Sequence, residues 1–303
     1  MKILTLALLL MAAKSVPAQT YPPTRMPEDV AIFAVGLEGK TFSIDPVVIV
    51  HYGADQRFRT VPALNSPLPS RDWTEADFNK IENSFYKPGT LVSVFSGSER
   101  LGTATVLNSN IEGRDGVCLD LSAVVTYGGS GKPLLAASTT SEIPGHASTR
   151  RAASRAETAM LRRLATQWLI DYGLDKQLLQ RGSLRQVIST VLRENAGRAL
   201  VGRFDVKSKH AIHRLFSIAE RDQGQYRLTL ADLEIQHDVE DGTDKTERKY
   251  IDQLDMNNDG QDEVIASTSH YESRSYAVWK FYANERVWRQ AYTGGGAAVD
   301  PHI

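Results

Sequence analysis

The chain has 303 residues, of which 42% are hydrophobic and 23% are charged, and its formal net charge is -1. This composition is typical of a globular protein, and it excludes the large positive charge that bulk nucleic-acid binding requires. The only cysteine is Cys118, so an internal disulfide is excluded and the stability of the fold has to come from core packing.

Residues 1–18 have the layout of a cleavable secretory signal. A basic Lys2 precedes an apolar run from Ile3 to Ala13, and Val16-Pro17-Ala18 ends in a small residue that suits a signal peptidase. The alternative is a membrane anchor, but the run is far shorter than the ~20 residues that cross a bilayer. The sequence therefore predicts a periplasmic or secreted protein with no membrane span after cleavage.

The segment that follows predicts an extended leader and then a β-rich domain. Residues 19–29 are polar and rich in proline, which favours the leader. Between residues 30 and 150, short β-type runs alternate with Gly, Pro, Ser and Asn, and Thr74 is placed to cap one short helix. The predicted strands include Val47–Tyr52, Leu91–Phe95, Leu101–Val106 and Val117–Val125. Leu91–Phe95 and Arg100–Val106 predict a hairpin around Ser96–Glu99.

Residues 151–198 predict a helical hairpin. Ser154 and Glu157 have the spacing of a capping box, and apolar residues then recur at the three-and-four spacing of a helix that Gly173 ends. A second helix is predicted from Ser183 to Asn195, with Gly197 after its end.

Residues 199–303 predict an antiparallel β domain. The expected strands are Tyr226–Leu230, Leu233–Ile235, Tyr250–Leu254, Glu263–Ser269, Ser275–Tyr282 and Val287–Tyr292. Trp279 and Phe281 share one strand face, which indicates core packing, and Gly294-Gly295-Gly296 reads as a terminal turn or tail. The complete chain is thus predicted to belong to the α+β class.

One stretch within this last domain has side chains suited to metal chemistry: Asp255-Met256-Asn257-Asn258-Asp259-Gly260-Gln261-Asp262-Glu263. Calcium takes about 6 to 8 oxygen ligands, and side chains at alternate positions of a tight loop can point at one centre. The oxygens on offer belong to Asp255, Asn257, Asp259, the carbonyl of Gln261, and Glu263. The alternative is a turn with solvated acids and no metal. Calcium is favoured because converging carboxylates repel one another without a cation.

The pattern resembles the first half of an EF-hand loop, but Ala266 stands where an EF-hand needs its last acid, and both flanks are β-like. It is similar to the calcium loops of FG-GAP and VCBS-type repeats, in which DxNxDGxxE joins neighbouring strands. The likeness covers Ile251 to Tyr292. It implies that Asp255, Asn257, Asp259, Gln261 and Glu263 are the metal ligands and that the ion braces the fold. Only one repeat is present, so a complete propeller is not implied.

The sequence has no GxSxG elbow, Walker loop or HExxH helix. We therefore expect an exported, calcium-stabilised binding or structural protein, and its partner would be a protein or an envelope polymer. Two alternatives stay open. One is a hydrolase of cell-envelope or extracellular polymers that uses two carboxylates of the acidic part of the chain as acid and base. The other is a partner-binding protein that uses a basic helical face within residues 150–203, where eleven Lys or Arg and four Asp or Glu give a charge of +7.

Overall fold

A computed structural model describes residues 29–38, 41–51, 57–59, 79, 81–112, 118–138, 143–194, 196–237, 247–269 and 273–299. The predicted signal peptide lies outside these ranges, as do all of the predicted leader before Asp29 and most of the helix predicted near Thr74. Among the helices that are described, none is both long enough and apolar enough to cross a membrane.

Strands dominate the described fold. They hold 61% of the residues and helices hold 14%, so the predicted α+β class is confirmed only coarsely and the protein is mostly β. The strands are β1 (Asp29–Glu38), β2 (Thr41–His51), β3 (Arg57–Arg59), β4 (Leu91–Ser96), β5 (Glu99–Glu112), β6 (Cys118–Thr126), β7 (Leu135–Ala137), β8 (Arg151–Ala152), β9 (Ser183–Thr190), β10 (Ala199–Lys207), β11 (Ala211–Asp222), β12 (Gln225–His237), β13 (Glu247–Leu254), β14 (Glu263–Ser269), β15 (Ser273–Tyr282) and β16 (Val287–Val299). The helices are α1 (Arg155–Tyr172) and α2 (Lys176–Gln180), and Glu82–Tyr86 forms a π-helical turn.

Six strands close into a ring in the order β6-β5-β4-β7-β1-β2, because β2 also pairs with β6. The predicted hairpin of β4 and β5 is confirmed, with Ser96 opposite Glu99. Successive side chains of a strand point to opposite faces. Along β1, Phe33 accordingly packs inside the ring with Tyr86 of the π-helical turn, whereas Ile32 packs outside it. Both faces of β1 are therefore buried.

The outer surface of the ring is covered by the antiparallel strands β13–β16, which continue the same sheet through pairing of β16 with β6. Ile265 and Val278 of these strands pack against the ring, in one cluster with Ile32. Val264 and Trp279, on the opposite face, pack against a second sheet. The four strands thus form the middle layer of the protein.

The second sheet has five strands in the order β12-β11-β10-β9-β8, and α1 covers its other face. The predicted capping box is confirmed, since Ser154 and Glu157 bond each other's backbone amides. The predicted end at Gly173 is confirmed too: its φ of 111° is in the left-handed region, and its N–H bonds the last turn of the helix. Leu161 and Leu169 of α1 are fully buried against the sheet.

The second predicted helix, Ser183 to Asn195, is wrong, and so is the helical hairpin: residues 183–190 form strand β9. The pairing of β9 with β10 contains a bulge, and Gln186 has a φ of 51°. A bulge adds one residue to a strand, so residues three apart can share a face. Leu184 and Val187 accordingly both pack on the side of α1. The bulge gives the strand a spacing that imitates the period of a helix.

The predicted domain boundaries do not coincide with units of packing. β8 and β9, from the segment predicted as helical, pair in one sheet with β10–β12. Strands β13–β16, from the predicted C-terminal domain, belong to the same sheet as the N-terminal ring. The terminal turn or tail predicted at Gly294-Gly295-Gly296 is also wrong, because these glycines lie within β16, where Gly294 is opposite Tyr276 of β15 and the register then shifts.

Candidate functional site

The predicted metal residues lie in the connection from β13 to β14, which we call the acidic loop (residues 255–263). The predicted position between two antiparallel strands is confirmed. Asn258 and Gly260 have φ values of 57° and 79°, in the left-handed region that asparagine and glycine adopt most readily. These two residues reverse the chain within the loop.

Side-chain oxygens of the loop turn inward and accept backbone hydrogen bonds. Asp255 accepts from the N–H of Asp259 at 3.0 Å and from that of Gly260 at 2.9 Å. Asn257 Oδ1 accepts from the same Asp259 N–H at 3.1 Å. Asp255 and Asn257 therefore direct oxygens toward one point. The N–H of Gln261 donates to Asp259 Oδ1 at 3.0 Å, and Gln261 also forms a β-bridge with Arg193.

Glu263 closes the loop from the other side. Its carboxylate is buried and accepts from the N–H of Met256 at 2.9 Å and from Asn257 Nδ2 at 2.8 Å. Lys280 of β15 places its Nζ 2.8 Å from Asp259 Oδ2 and 3.8 Å from Glu263 Oε1. The structure thus supplies an internal cation to two of the predicted metal ligands, which the sequence analysis did not anticipate.

Burial makes the charged state of the loop unfavourable. Desolvation raises the pKa of Asp255, against hydrogen bonds from Gly260 and Asp259 that lower it. Desolvation also raises the pKa of Glu263 well above its ordinary value, against the Met256 N–H and the charge of Lys280. Additional positive charge in the loop would favour ionisation of both groups.

The donor set fits calcium in its chemistry, because every candidate ligand is an oxygen and a carboxylate keeps further lone pairs after accepting two hydrogen bonds. In the described part of the chain, however, no group of three or more His, Cys, Asp or Glu side chains converges on a common point that could hold a metal ion. Lys280 also takes part of the charge that an ion would neutralise. The loop side chains that the structure brings together are Asp255, Asn257, Asp259 and Glu263, and Gln261 joins them through its backbone.

The acidic loop is attached to the connection between β9 and β10. The N–H of Asp262 donates to the carbonyl of Leu192 at 2.8 Å, and the N–H of Glu194 donates to the carbonyl of Gly260 at 3.2 Å. Gln253 Nε2 adds a bond to the carbonyl of Val191 at 2.8 Å. The loop is therefore fixed to the second sheet as well as to its own strands.

Asp262 is the centre of a polar network that joins three distant parts of the chain. Its Oδ2 accepts from Ser98 Oγ at 2.7 Å and from Gln253 Nε2 at 2.6 Å, while Oδ1 lies 2.9 Å from Nε2 of His146. The side chain of Asp262 is 2% exposed and that of His146 is 49% exposed. The hydrogen bond with Asp262 raises the pKa of His146, against desolvation, which lowers it.

His146 lies on the wall of a cleft with a volume of about 400 Å³ between residues 143–150, the acidic loop and the β9–β10 connection. The lining residues are Pro144, Gly145, His146, Thr149, Val191, Leu192, Arg193, Glu194, Asp255, Gly260 and Asp262. The hydroxyl of Thr149 is engaged, because it accepts from the N–H of Val191 at 2.8 Å and lies 3.2 Å from Thr190 Oγ1. Among these lining residues there is no Phe, Tyr or Trp side chain.

The tip of the β4–β5 hairpin forms further hydrogen bonds with the residues around Asp262. The N–H of Gly97 donates to Asp252 Oδ2 at 2.6 Å, and Asp252 is also paired with Arg150 at 2.5 Å. Burial raises the pKa of Asp252 to about 6, although Arg150 opposes the shift. The carbonyl of Ser98 accepts from the N–H of His146 at 3.1 Å. The hairpin tip thus fixes both partners of the pair formed by His146 and Asp262.

Sequence reasoning identified the acidic loop but missed the cleft beside it. Asp262 lies in the predicted metal loop but is not one of its predicted ligands, and no sequence pattern indicates His146, Ser98 or Gln253. His146 is 116 residues and Ser98 is 164 residues from Asp262 along the chain. No local spacing connects residues so far apart, so only the tertiary structure reveals the network.

The basic segment 150–203 does not form one continuous surface. On α1, Arg162 and Arg163 are exposed. In contrast, Arg193 pairs with Glu220 at 2.8 Å and lies over the ring of Phe281, while Arg203 is buried. The net charge of the segment therefore overstates the positive charge that a partner would meet.

Comparison of the chain with protein-family models, with curated proteins and with solved structures finds no match. The resemblance of the acidic loop to FG-GAP and VCBS-type repeats accordingly stays a prediction.

Proposed function

We propose that the protein is an exported binding or structural protein in which the acidic loop binds calcium as a structural ion. The observation that carries the proposal is the convergence of Asp255 and Asn257 oxygens on one side of a tight turn, with the buried Glu263 closing it. The raised pKa values of Asp255 and Glu263 add support, because a cation would offset the cost of their burial.

Asp255, Asn257, Asp259 and Glu263, with the carbonyl of Gln261, would hold the ion. Bound calcium would supply positive charge and fix the turn between β13 and β14. Since the loop is bonded to Leu192 and Glu194, ordering it would also stabilise the contact between the two sheets. Any ligand that binds the folded state but not the unfolded chain raises the free energy of unfolding by mass action.

Isothermal titration of the mature chain with calcium tests the loop directly. We expect heat of binding for the wild type, and a loss of that heat for Asp259→Ala. Asp171→Ala is the matched control, because Asp171 is an exposed acid on α1 that bonds only Gln167 in the described contacts. Equal heats for wild type and Asp259→Ala, or an unchanged melting temperature when chelator is added, would contradict the proposal.

Export is tested separately from calcium. Mass spectrometry of the protein recovered from the periplasm or the medium should find an N-terminus at Gln19, which follows the predicted cleavage site. Retention of residues 1–18 in the cytoplasmic fraction would contradict the proposed location, whatever the loop binds.

A further inference from the structure

The imidazole of His146 has one nitrogen occupied and one available. Nε2 lies 2.9 Å from Asp262 Oδ1, so in the neutral ring Nε2 carries the proton and Nδ1 carries the lone pair. Nδ1 lies 3.4 Å from the carbonyl oxygen of the adjacent Ala147. A carbonyl oxygen cannot donate a hydrogen bond, so it leaves this lone pair free to take a proton.

The orientation of the His146 imidazole is fixed by Asp262, whose own carboxylate is held by hydrogen bonds. Asp262 is buried, and Ser98 and Gln253 both donate to its other oxygen. A carboxylate held in this way selects the tautomer of the histidine and stabilises the imidazolium that forms when the ring accepts a proton. Histidine and aspartate are the base and the orienting group of many hydrolytic sites, in which the aspartate bonds Nδ1 and Nε2 is the base; at His146 the two ring nitrogens exchange these roles.

The cleft provides room for a small substrate and no free hydroxyl nucleophile. Its volume of about 400 Å³ suits a small molecule, and Pro144, Val191 and Leu192 give it apolar walls. The Thr149 hydroxyl is engaged with Val191. We propose that His146 and Asp262 form a general-base site in this cleft that hydrolyses small carboxylic esters, with water as the nucleophile.

The reaction is balanced without any further reagent. Nδ1 of His146 accepts a proton from water while the water oxygen forms a bond to the ester carbonyl carbon. The tetrahedral intermediate then expels the alkoxide, which takes the proton back from the imidazolium, so that ester and water give acid and alcohol. General-base catalysis accelerates a reaction by about 10² to 10⁴-fold. This acceleration suits esters with good leaving groups. This activity goes beyond the proposed function and does not involve calcium.

The probes are 4-nitrophenyl acetate and 4-nitrophenyl butyrate, and the measurement is the release of 4-nitrophenolate by the mature chain. We expect saturable turnover, and a fall in kcat/KM of at least about 100-fold for His146→Gln. His146 is half exposed, so this variant should fold, which circular dichroism checks. His210→Gln is the matched control, because His210 is an exposed histidine outside the cleft.

The pH profile separates the role of Asp262 from mere stabilisation of the fold. Asp262, Asp255, Arg193 and Glu194 are the charged groups that line the cleft with His146. Asp262→Asn should keep part of the turnover, but the midpoint of its rise with pH should lie lower than in the wild type. If that variant does not fold, Ser98→Ala removes one of the two hydrogen bonds to Asp262 Oδ2 and should lower kcat with little change in KM.

The proposal is overturned if the wild type shows no saturable turnover of either ester, or if His146→Gln keeps the wild-type rate. A loss of rate in His210→Gln equal to that in His146→Gln would overturn it as well. Calcium titration of the same variants tells a failure of this proposal from a failure of the structural calcium site, because His146→Gln alters none of the proposed calcium ligands.

Discussion

Lys280 is the residue on which the electrostatics of the acidic loop depend. Its ammonium is 2.8 Å from Asp259 and 3.8 Å from Glu263, two of the proposed calcium ligands. Lys280→Met keeps an unbranched side chain of similar length and removes the charge. We expect this variant to bind calcium more tightly than the wild type and to be less stable when chelator is present.

The size of both effects follows from exposure and distance. Lys280 and Asp259 are 27% and 28% exposed, so their pair contributes only about 0.2–1 kcal/mol to the free energy of unfolding. Glu263 is 1% exposed and loses its nearest cation, but it can take up a proton instead, so we expect a total loss of about 1–2 kcal/mol. Two unit charges 4 Å apart interact by about 1 kcal/mol in water and about 4 kcal/mol at an effective dielectric constant of 20. Removing the ammonium should therefore tighten calcium binding by at least about tenfold, which corresponds to about 1.4 kcal/mol.

Isothermal titration gives the Kd for calcium, and urea unfolding with and without chelator gives the stability. Lys249→Met is the matched control, because Lys249 pairs with Glu247 on β13, outside the acidic loop. An unchanged Kd for Lys280→Met would refute the reasoning, and so would an equal gain in affinity for Lys249→Met. The first result would mean that the ion does not bind near Asp259 and Glu263.

Two further predictions concern stability. The pKa of Glu157 is lowered, chiefly by Arg151 and then by the amide and hydroxyl of Ser154. The Glu157 carboxylate therefore stabilises the folded state above its unfolded pKa of about 4.3, and this stabilisation is lost as pH falls through the lowered folded pKa. Glu157→Gln should lower the free energy of urea unfolding at pH 7 by about 1 kcal/mol. The difference in free energy of unfolding between the variant and the wild type should become smaller below pH ~4. A difference that stays constant with pH would contradict this. At Gly296, with a φ of 87°, an added Cβ would lie 2.0 Å from the carbonyl oxygen of Arg274, so Gly296→Ala should cost about 3 kcal/mol or more, measured as a lower denaturation midpoint. Gly89→Ala is the control, since Gly89 has a φ of 88° and open space around it, and equal losses in the two variants would show that backbone strain alone is responsible.

The incorrectly predicted helix at residues 183–195 and the correctly predicted helix α1 show the limits of predicting helices from apolar spacing. In α1, the apolar spacing is supported by a capping box and a glycine stop, which act through neighbouring residues and therefore operate wherever the segment lies. In β9, a similar apolar spacing arises from a bulge that exists only because the strand pairs with β10. The β-branched residues Val187 and Ile188 favour a strand there, whereas the apolar spacing favours a helix.

The sequence by itself determined the β4–β5 hairpin, the first helix with both of its ends, and the position of the acidic loop between two strands. These depend on interactions among residues close together in the chain. Only the tertiary structure decided that the strands β13–β16 lie between two other layers, that Lys280 serves as the cation of the loop, and that His146 meets Asp262 in a cleft. Each of these joins residues far apart in the sequence, and their contacts depend on how the sheets pack rather than on any local pattern.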